Sequence, residues 1–187
     1  MMMKEEMYEY DDDFVPCVEQ IDEELNWMIN FLLAKNISNI LTLGVSRGGL
    51  EYRIAEAYHK ADKQCNITGI DWVFTEGMKQ TWGKVLAKFP KVNLNFLRHD
   101  LTKFCPYFML GKYEFCFVDA DHAYESIKRD FSIAIKHTTR FMGFHDIIGT
   151  GVTQFWEELK KDYPYTEKTA GSWMGIGLIS VGGEPID

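Results

Sequence analysis

The stretch that most constrains the fold is Ile40-Leu41-Thr42-Leu43-Gly44-Val45-Ser46-Arg47-Gly48-Gly49-Leu50. A short apolar run, of the kind a buried strand carries, stops at Gly44. Three of the next five residues are small (Ser46, Gly48, Gly49), and Glu51 to Lys60 then reads as a helix. Strand, glycine turn, helix is the junction at which α/β proteins bind nucleotides. The glycines let backbone approach a ligand, and the helix N-terminus offers unpaired N–H groups. Many α/β proteins keep a glycine there and bind no nucleotide, so alone the junction speaks to fold more than to function.

Strand and helix patterns alternate along the rest of the chain. Val18 to Lys35 places Ile21, Leu25, Met28 and Leu32 on one helical face. Asn66 to Asp71 reads as a second strand, Thr75 to Phe89 as a helix stopped by Pro90, and Val92 to Leu97 as a third strand. Leu101 to Leu110 is a poor helix interrupted by Pro106. Tyr113 to Val118 is a fourth strand, Ala123 to His137 a helix, Thr138 to Phe144 a fifth strand and Gly151 to Tyr163 a helix. Pro164 to Ala170 and Gly175 to Val181 read as two last strands around a Gly-Ser turn. Alternation of this kind predicts an α/β fold: a three-layer, Rossmann-like sheet of about seven strands, mostly parallel, with an antiparallel hairpin at one edge. Residues 1–15 are acidic, lack periodicity and are expected to be a disordered leader; residues 16–187 are expected to form a single domain.

Composition narrows the function classes. The formal charge is −8, but six acids against Lys4 place −5 of it in the first 13 residues, and the remainder is nearly balanced. No basic footprint for nucleic acid is present. No apolar stretch approaches the roughly 20 residues needed to span a membrane. Cys17, Cys65, Cys105 and Cys116 show neither C-x-x-C nor zinc-type spacing, and the N-terminus is not a signal peptide, so a reduced, cytoplasmic protein is expected.

Polar residues recur where the strands end: Gly44, Asp71, Asp100, Asp119 and His145-Asp146. In a parallel sheet these ends share one edge, where α/β sheets bind ligands. A single acid in such a place is usually a helix cap, and Asp121 reads as one. Acids at successive strand ends beyond a glycine turn are harder to explain as caps. Asp71, 27 residues after Gly44, is placed to accept both hydroxyls of a ribose. The glycine series lacks the G-x-G-x-x-G of dinucleotide sites, and its G-x-x-x-G spacing suits a ligand without phosphates.

With these motifs in view, the chain resembles class I S-adenosylmethionine-dependent methyltransferases, and more closely the branch of macrolide-sugar O-methyltransferases and cephalosporin-hydroxylase-like proteins. Leu41 to Gly49 matches the glycine motif, Phe117-Val118-Asp119-Ala120-Asp121-His122-Ala123-Tyr124-Glu125 the second and more specific motif, and Phe144-His145-Asp146 with Gly151-Val152 the third. The resemblance runs from about Val18 to Val181. It implies that Gly44, Ser46, Gly48 and Gly49 line the methionine end of the cofactor, with Asp119 close by. It further implies that Asp71 holds the ribose, Trp72 packs on the adenine and Asp100 sits near the adenine amine. Asp119 and Asp146 would bind a divalent cation such as Mg²⁺, and His122 would be the general base, with Asp119 as its catalytic neighbour. His145 would orient Asp146 or substrate, because Mg²⁺ prefers oxygen ligands.

The chemistry is consistent with those roles. An alcohol attacks a sulfonium methyl poorly until its proton begins to leave, and a neutral imidazole titrates near neutral pH. The implied acceptor is a hydroxyl on a sugar or other small molecule, and a homo-oligomer that closes the site is compatible with the short chain. Each residue also has a plainer reading: Asp119 as a helix cap, His122 as a partly buried hydrogen-bonding histidine, and Trp82, Trp156 and Trp173 as core or pocket wall. His59, His99 and His137 carry no motif. One departure is notable. The acid that such enzymes usually carry two residues before the first glycine, which helps to place the methionine ammonium, is Thr42 here. That favours, as the alternative reading, a non-catalytic methyltransferase-like module that binds a ligand or partner.

Overall fold

The computed structural model describes residues 10–103 and 111–186. Seven strands form one sheet: β1 (Asn39–Leu43), β2 (Cys65–Asp71), β3 (Val92–Arg98), β4 (Tyr113–Val118), β5 (Thr138–Ile148), β6 (Tyr165–Lys168) and β7 (Met174–Ser180). Their order is β3-β2-β1-β4-β5-β7-β6. The first five pair in parallel, and β7 pairs antiparallel with both β5 and β6, as the absence of a helix between the last two runs predicts.

The five helices α1 (Asp22–Ala34), α2 (Gly49–Lys60), α3 (Glu76–Lys88), α4 (Tyr124–Ala134) and α5 (Gly151–Asp162) cover both faces. Period-two alternation divides the strand residues between the layers. Ile40, Phe115 and Phe117 pack with Leu25, Ile54 and Met78 on the face of α1, α2 and α3. Leu41, Leu43, Cys116 and Val118 pack with Ile127, Val152 and Phe155 on the face of α4 and α5. Strands buried on both sides have no polar face, which is why β1 and β4 read as near-continuous apolar runs. Thr75 and Thr150 start α3 and α5 by accepting the N–H of Met78 at 3.2 Å and of Val152 at 3.1 Å.

Several boundaries differ from expectation for identifiable reasons. The first helix begins at Asp22 rather than Val18, because the preceding residues run along the glycine loop. The fifth strand does not stop at Phe144 but continues to Ile148, with a bulge between His145 and Ile148. Part of the expected leader, residues 10–15, lies against α3: the Asp11 N–H donates to Gln80 Oε1, Lys84 Nζ donates to the carbonyls of Asp12 and Phe14, and Lys88 pairs with Asp12. Residues 1–9 lie outside the described residues. So does most of the poor helix expected over 101–110, of which residues 101–103 form a turn. Among the described residues no helix is long and apolar enough to cross a membrane.

Candidate functional site

Strand order reverses at β1, where β2 lies on one side and β4 on the other, and the crevice opens at the carboxyl ends of these strands. The chain turns there through Gly44, whose φ of +86° is left-handed. A Cβ at Gly44 would stand 2.2 Å from the Asp119 carbonyl oxygen, so glycine alone lets the β1 and β4 ends approach this closely. Asp71, ending β2, binds the turn through one oxygen: Oδ2 accepts the N–H groups of Val45 at 2.9 Å and Ser46 at 3.1 Å.

Gly44, Asp71, Trp72 and Asp100 line a common cavity of about 390 Å³, with Ile70 and Leu101 as apolar walls and His99, Asp121 and Arg129 on its border. Of the expected cofactor residues, then, the structure gathers these four. Trp72 is 71% exposed at the rim and offers a flat apolar surface. Asp100 accepts from the Thr102 N–H and hydroxyl, and those bonds hold its carboxyl below the usual range. The other glycines have packing reasons. A Cβ on Gly48, at φ +83°, would meet Trp82 and Thr81 of α3, and one on Gly49 would lie 1.8 Å from the Cys17 carbonyl oxygen. Ser46 (φ +53°) donates its hydroxyl to Glu19.

Next to the cavity four side chains converge. Asp119 follows β4, His122 precedes α4, and His145 and Asp146 lie in β5. His145 Nδ1 is 3.2 Å from Asp119 Oδ1 and 3.5 Å from Asp146 Oδ2. His122 Nε2 is 3.0 Å from Asp146 Oδ2 and 3.6 Å from Asp119 Oδ1. Consecutive residues of a regular strand point to opposite faces. Asp146 escapes that rule through a left-handed backbone at φ +56°, which an aspartate tolerates better than most residues, and so joins His145 on one side. The carboxyl-proximal loop is locked in turn, because the Thr150 hydroxyl donates to the Asp146 carbonyl at 2.8 Å. A Cβ at Gly151 would stand 2.6 Å from the His122 carbonyl, so the start of α5 also packs directly on the His122 backbone.

Burial disfavours the Asp119 carboxylate, yet its bonds with His122 and His145 outweigh that cost and bring its pKa below the ordinary value. His122 is displaced upward by its bond to Asp119 and by the nearby Asp146 charge. For His145 burial acts downward, but the same two carboxylates prevail and its pKa is also raised. Asp121 is separate: it accepts the Ala123 N–H and the Ser126 hydroxyl beside the start of α4, but the cap position is Ala123 and no side chain caps that helix, so Asp121 is not the cap its position suggested.

Asp119, His145 and Asp146 each offer a ligand atom within 4.8 Å of the others, and this trio fits a divalent cation. His145, expected to orient Asp146 or substrate, lies against both carboxylates, and its Nδ1 could also serve as a third donor. Other participants had little sequence signal. Gln20 Nε2 donates to Asp119 Oδ2 at 2.6 Å from the segment that crosses the glycine loop. Glu51 is fully buried beneath that loop and bonded to Thr42, and His99 and Arg129 border the cavity. Trp82 and Trp156 are core, whereas Trp173 is 60% exposed and belongs to no core cluster.

No protein-family model matches the chain, and no curated protein matches it. Solved structures do. The O-methyltransferase TomG from Streptomyces achromogenes, involved in tomaymycin synthesis and in complex with S-adenosylmethionine, superposes with a TM-score of 0.65 at 19% identity, over 90% of this chain and 83% of that one. An O-methyltransferase from Bacillus cereus in complex with S-adenosylhomocysteine gives 0.63 at 14% identity, over 89% and 84%. The DszA carbon methyltransferase gives 0.63 at 13% identity, over 88% of this chain and 55% of that one. The chain therefore has the class I S-adenosylmethionine-dependent methyltransferase fold. Likeness at such identities establishes the fold and leaves the acceptor atom open, since oxygen and carbon methyltransferases both share it.

Proposed function

We propose that this protein is an S-adenosylmethionine-dependent O-methyltransferase acting on a hydroxyl of a small molecule, a sugar diol being the acceptor class that the resemblance of its motifs favours. The observation that carries the reading is the convergence of Asp119, His122, His145 and Asp146 beside a cavity bordered by Gly44, Asp71, Trp72 and Asp100. Such a cavity suits an adenosine: Asp71 for the ribose hydroxyls, Trp72 as a face for the base, Asp100 for its amine. S-adenosylmethionine, when bound, supplies an electrophilic methyl group on a sulfonium.

The chain itself handles the acceptor's proton. His122 turns Nε2 toward Asp146 and Asp119, which leaves Nδ1 as the nitrogen that takes the hydroxyl proton while the half-exposed ring stays in reach of an acceptor. The carboxylates stabilise the imidazolium that results, as an acid does in any carboxylate–histidine pair. Asp119, His145 and Asp146 would hold a divalent cation, which would polarise the acceptor hydroxyl. With a nitrogen among the donors, Mn²⁺ suits the trio at least as well as the Mg²⁺ expected from two carboxylates. His145, buried and bonded to Asp119, fixes the carboxylate geometry with or without the ion.

Calorimetric titration with S-adenosylhomocysteine tests the cofactor and labelled-methyl transfer to a panel of sugars and phenols tests the reaction. Binding, transfer, and a loss of about a hundredfold or more in turnover for His122→Ala with cofactor affinity retained are expected. Absence of cofactor binding, or full turnover in the variant, refutes the corresponding part.

A further inference from the structure

Glu51 is a fully buried carboxyl that the proposed reaction leaves unused. It stands in the first turn of α2, two residues after Gly49, while Thr42 stands two residues before Gly44; the pair brackets the glycine loop. Alternation along β1 turns Thr42 toward the α2 layer, and its hydroxyl donates to Glu51 Oε1 at 2.6 Å. Glu51 Oε2 has no hydrogen-bond partner, and among the ion pairs of the described residues none reaches Glu51. The charges felt nearby, Asp71 and Asp119, have the same sign. An isolated acid in such a place is costly, and an apolar side chain of similar size would serve packing better. Burial, helped by those two acids, pushes its pKa up to about 7. Among the described residues no cation offsets it; a ligand carrying one would.

We propose that Glu51 is a positioning residue for the amino-acid end of the cofactor, its carboxylate acting from beneath the glycine loop to favour the ligand's ammonium group. The inference rests on the methyltransferase reading and deepens it. Of the glycine loop only Gly44 lines the adenosine-sized cavity, so the rest of the loop bracketed by Thr42 and Glu51 is left for the other half of the molecule. In this chain the acid absent from position 42 of β1 is delivered by α2, and Thr42 holds it in place.

Two ligands separate this role from a structural one. S-adenosylhomocysteine carries the ammonium; methylthioadenosine has the same adenosyl thioether without the amino acid. Calorimetry of both is compared in the wild type, Glu51→Gln, Thr42→Val, and the exchange variant Thr42→Glu with Glu51→Thr. E51Q is expected to weaken S-adenosylhomocysteine about tenfold and methylthioadenosine by less than about twofold. T42V, which keeps the carboxyl but frees it, moves the same ligand by a smaller factor, and the exchange variant recovers affinity. Equal loss for both ligands, or no loss for either, in E51Q (or in T42V should E51Q fail to fold) overturns the inference while the cofactor reading stands. A wild type that binds neither ligand overturns both.

Discussion

Replacing Glu51 by glutamine makes a stability prediction that needs no ligand. Glutamine keeps the shape of the side chain and an acceptor for the Thr42 hydroxyl, and it removes the titration. In the unfolded chain the carboxyl ionises near its ordinary 4.5, whereas in the folded protein burial raises it to about 7. Between those values the folded chain holds a proton that the unfolded chain has released, so wild-type stability falls as pH rises through the interval and is level beyond it. Displacing the group from 4.5 to about 7 corresponds to a drop of up to about 3 kcal/mol. Urea unfolding of the wild type and of E51Q from pH 4.5 to 8 measures it. His122 and His145 titrate in both proteins, so the difference between the two curves isolates Glu51. The variant should gain on the wild type by about 2–3 kcal/mol across the range. Curves that stay parallel within about 0.5 kcal/mol would show that the carboxyl is not buried as described.

Two further perturbations bear on the site. Gly44→Ala forces a Cβ to 2.2 Å from the Asp119 carbonyl at a φ of +86°, and should cost about 2–5 kcal/mol in denaturant unfolding, with a loss below about 1 kcal/mol contradicting the close approach. If His145 is a cation donor, Mn²⁺ should raise the melting temperature of the protein at least as much as Mg²⁺ at equal concentration, and Asp146→Asn should abolish the shift; a shift unchanged in the variant would place the ion elsewhere.

The layers of the fold were legible because β1 and β4 are apolar on both faces and because Pro90 and the glycines punctuate the helices. Gly44, Asp71 and Asp100 were legible as a group for a topological reason, since parallel strands bring their carboxyl ends to one edge whatever lies between them, whereas Trp72 entered only through the family resemblance. What stayed hidden depends on backbone detail or burial. The bulge that turns Asp146 back beside His145 leaves no trace in hydrophobic periodicity, so β5 read as ending at Phe144. Residues 18–20 read as the start of the first helix, but Gln20 is committed to Asp119 and the adjoining Cys17 carbonyl packs on Gly49, so tertiary contact overrode the local pattern. Gly48 and Gly49 read as cofactor lining, and packing alone also requires glycine at both, because each has a neighbour that excludes a side chain. Glu51 was missed because a glutamate in the first turn of an amphipathic helix ordinarily faces water and favours the helix dipole. Only the three-dimensional position of Thr42 reveals that this one does not.

The most direct measurement is the structure of the protein crystallised with S-adenosylhomocysteine. The adenosyl group should occupy the crevice bordered by Gly44, Asp71, Trp72 and Asp100, with its thioether toward Asp119 and His122. A crevice left empty at saturating ligand, or a ligand seated away from these strand ends, would contradict the account.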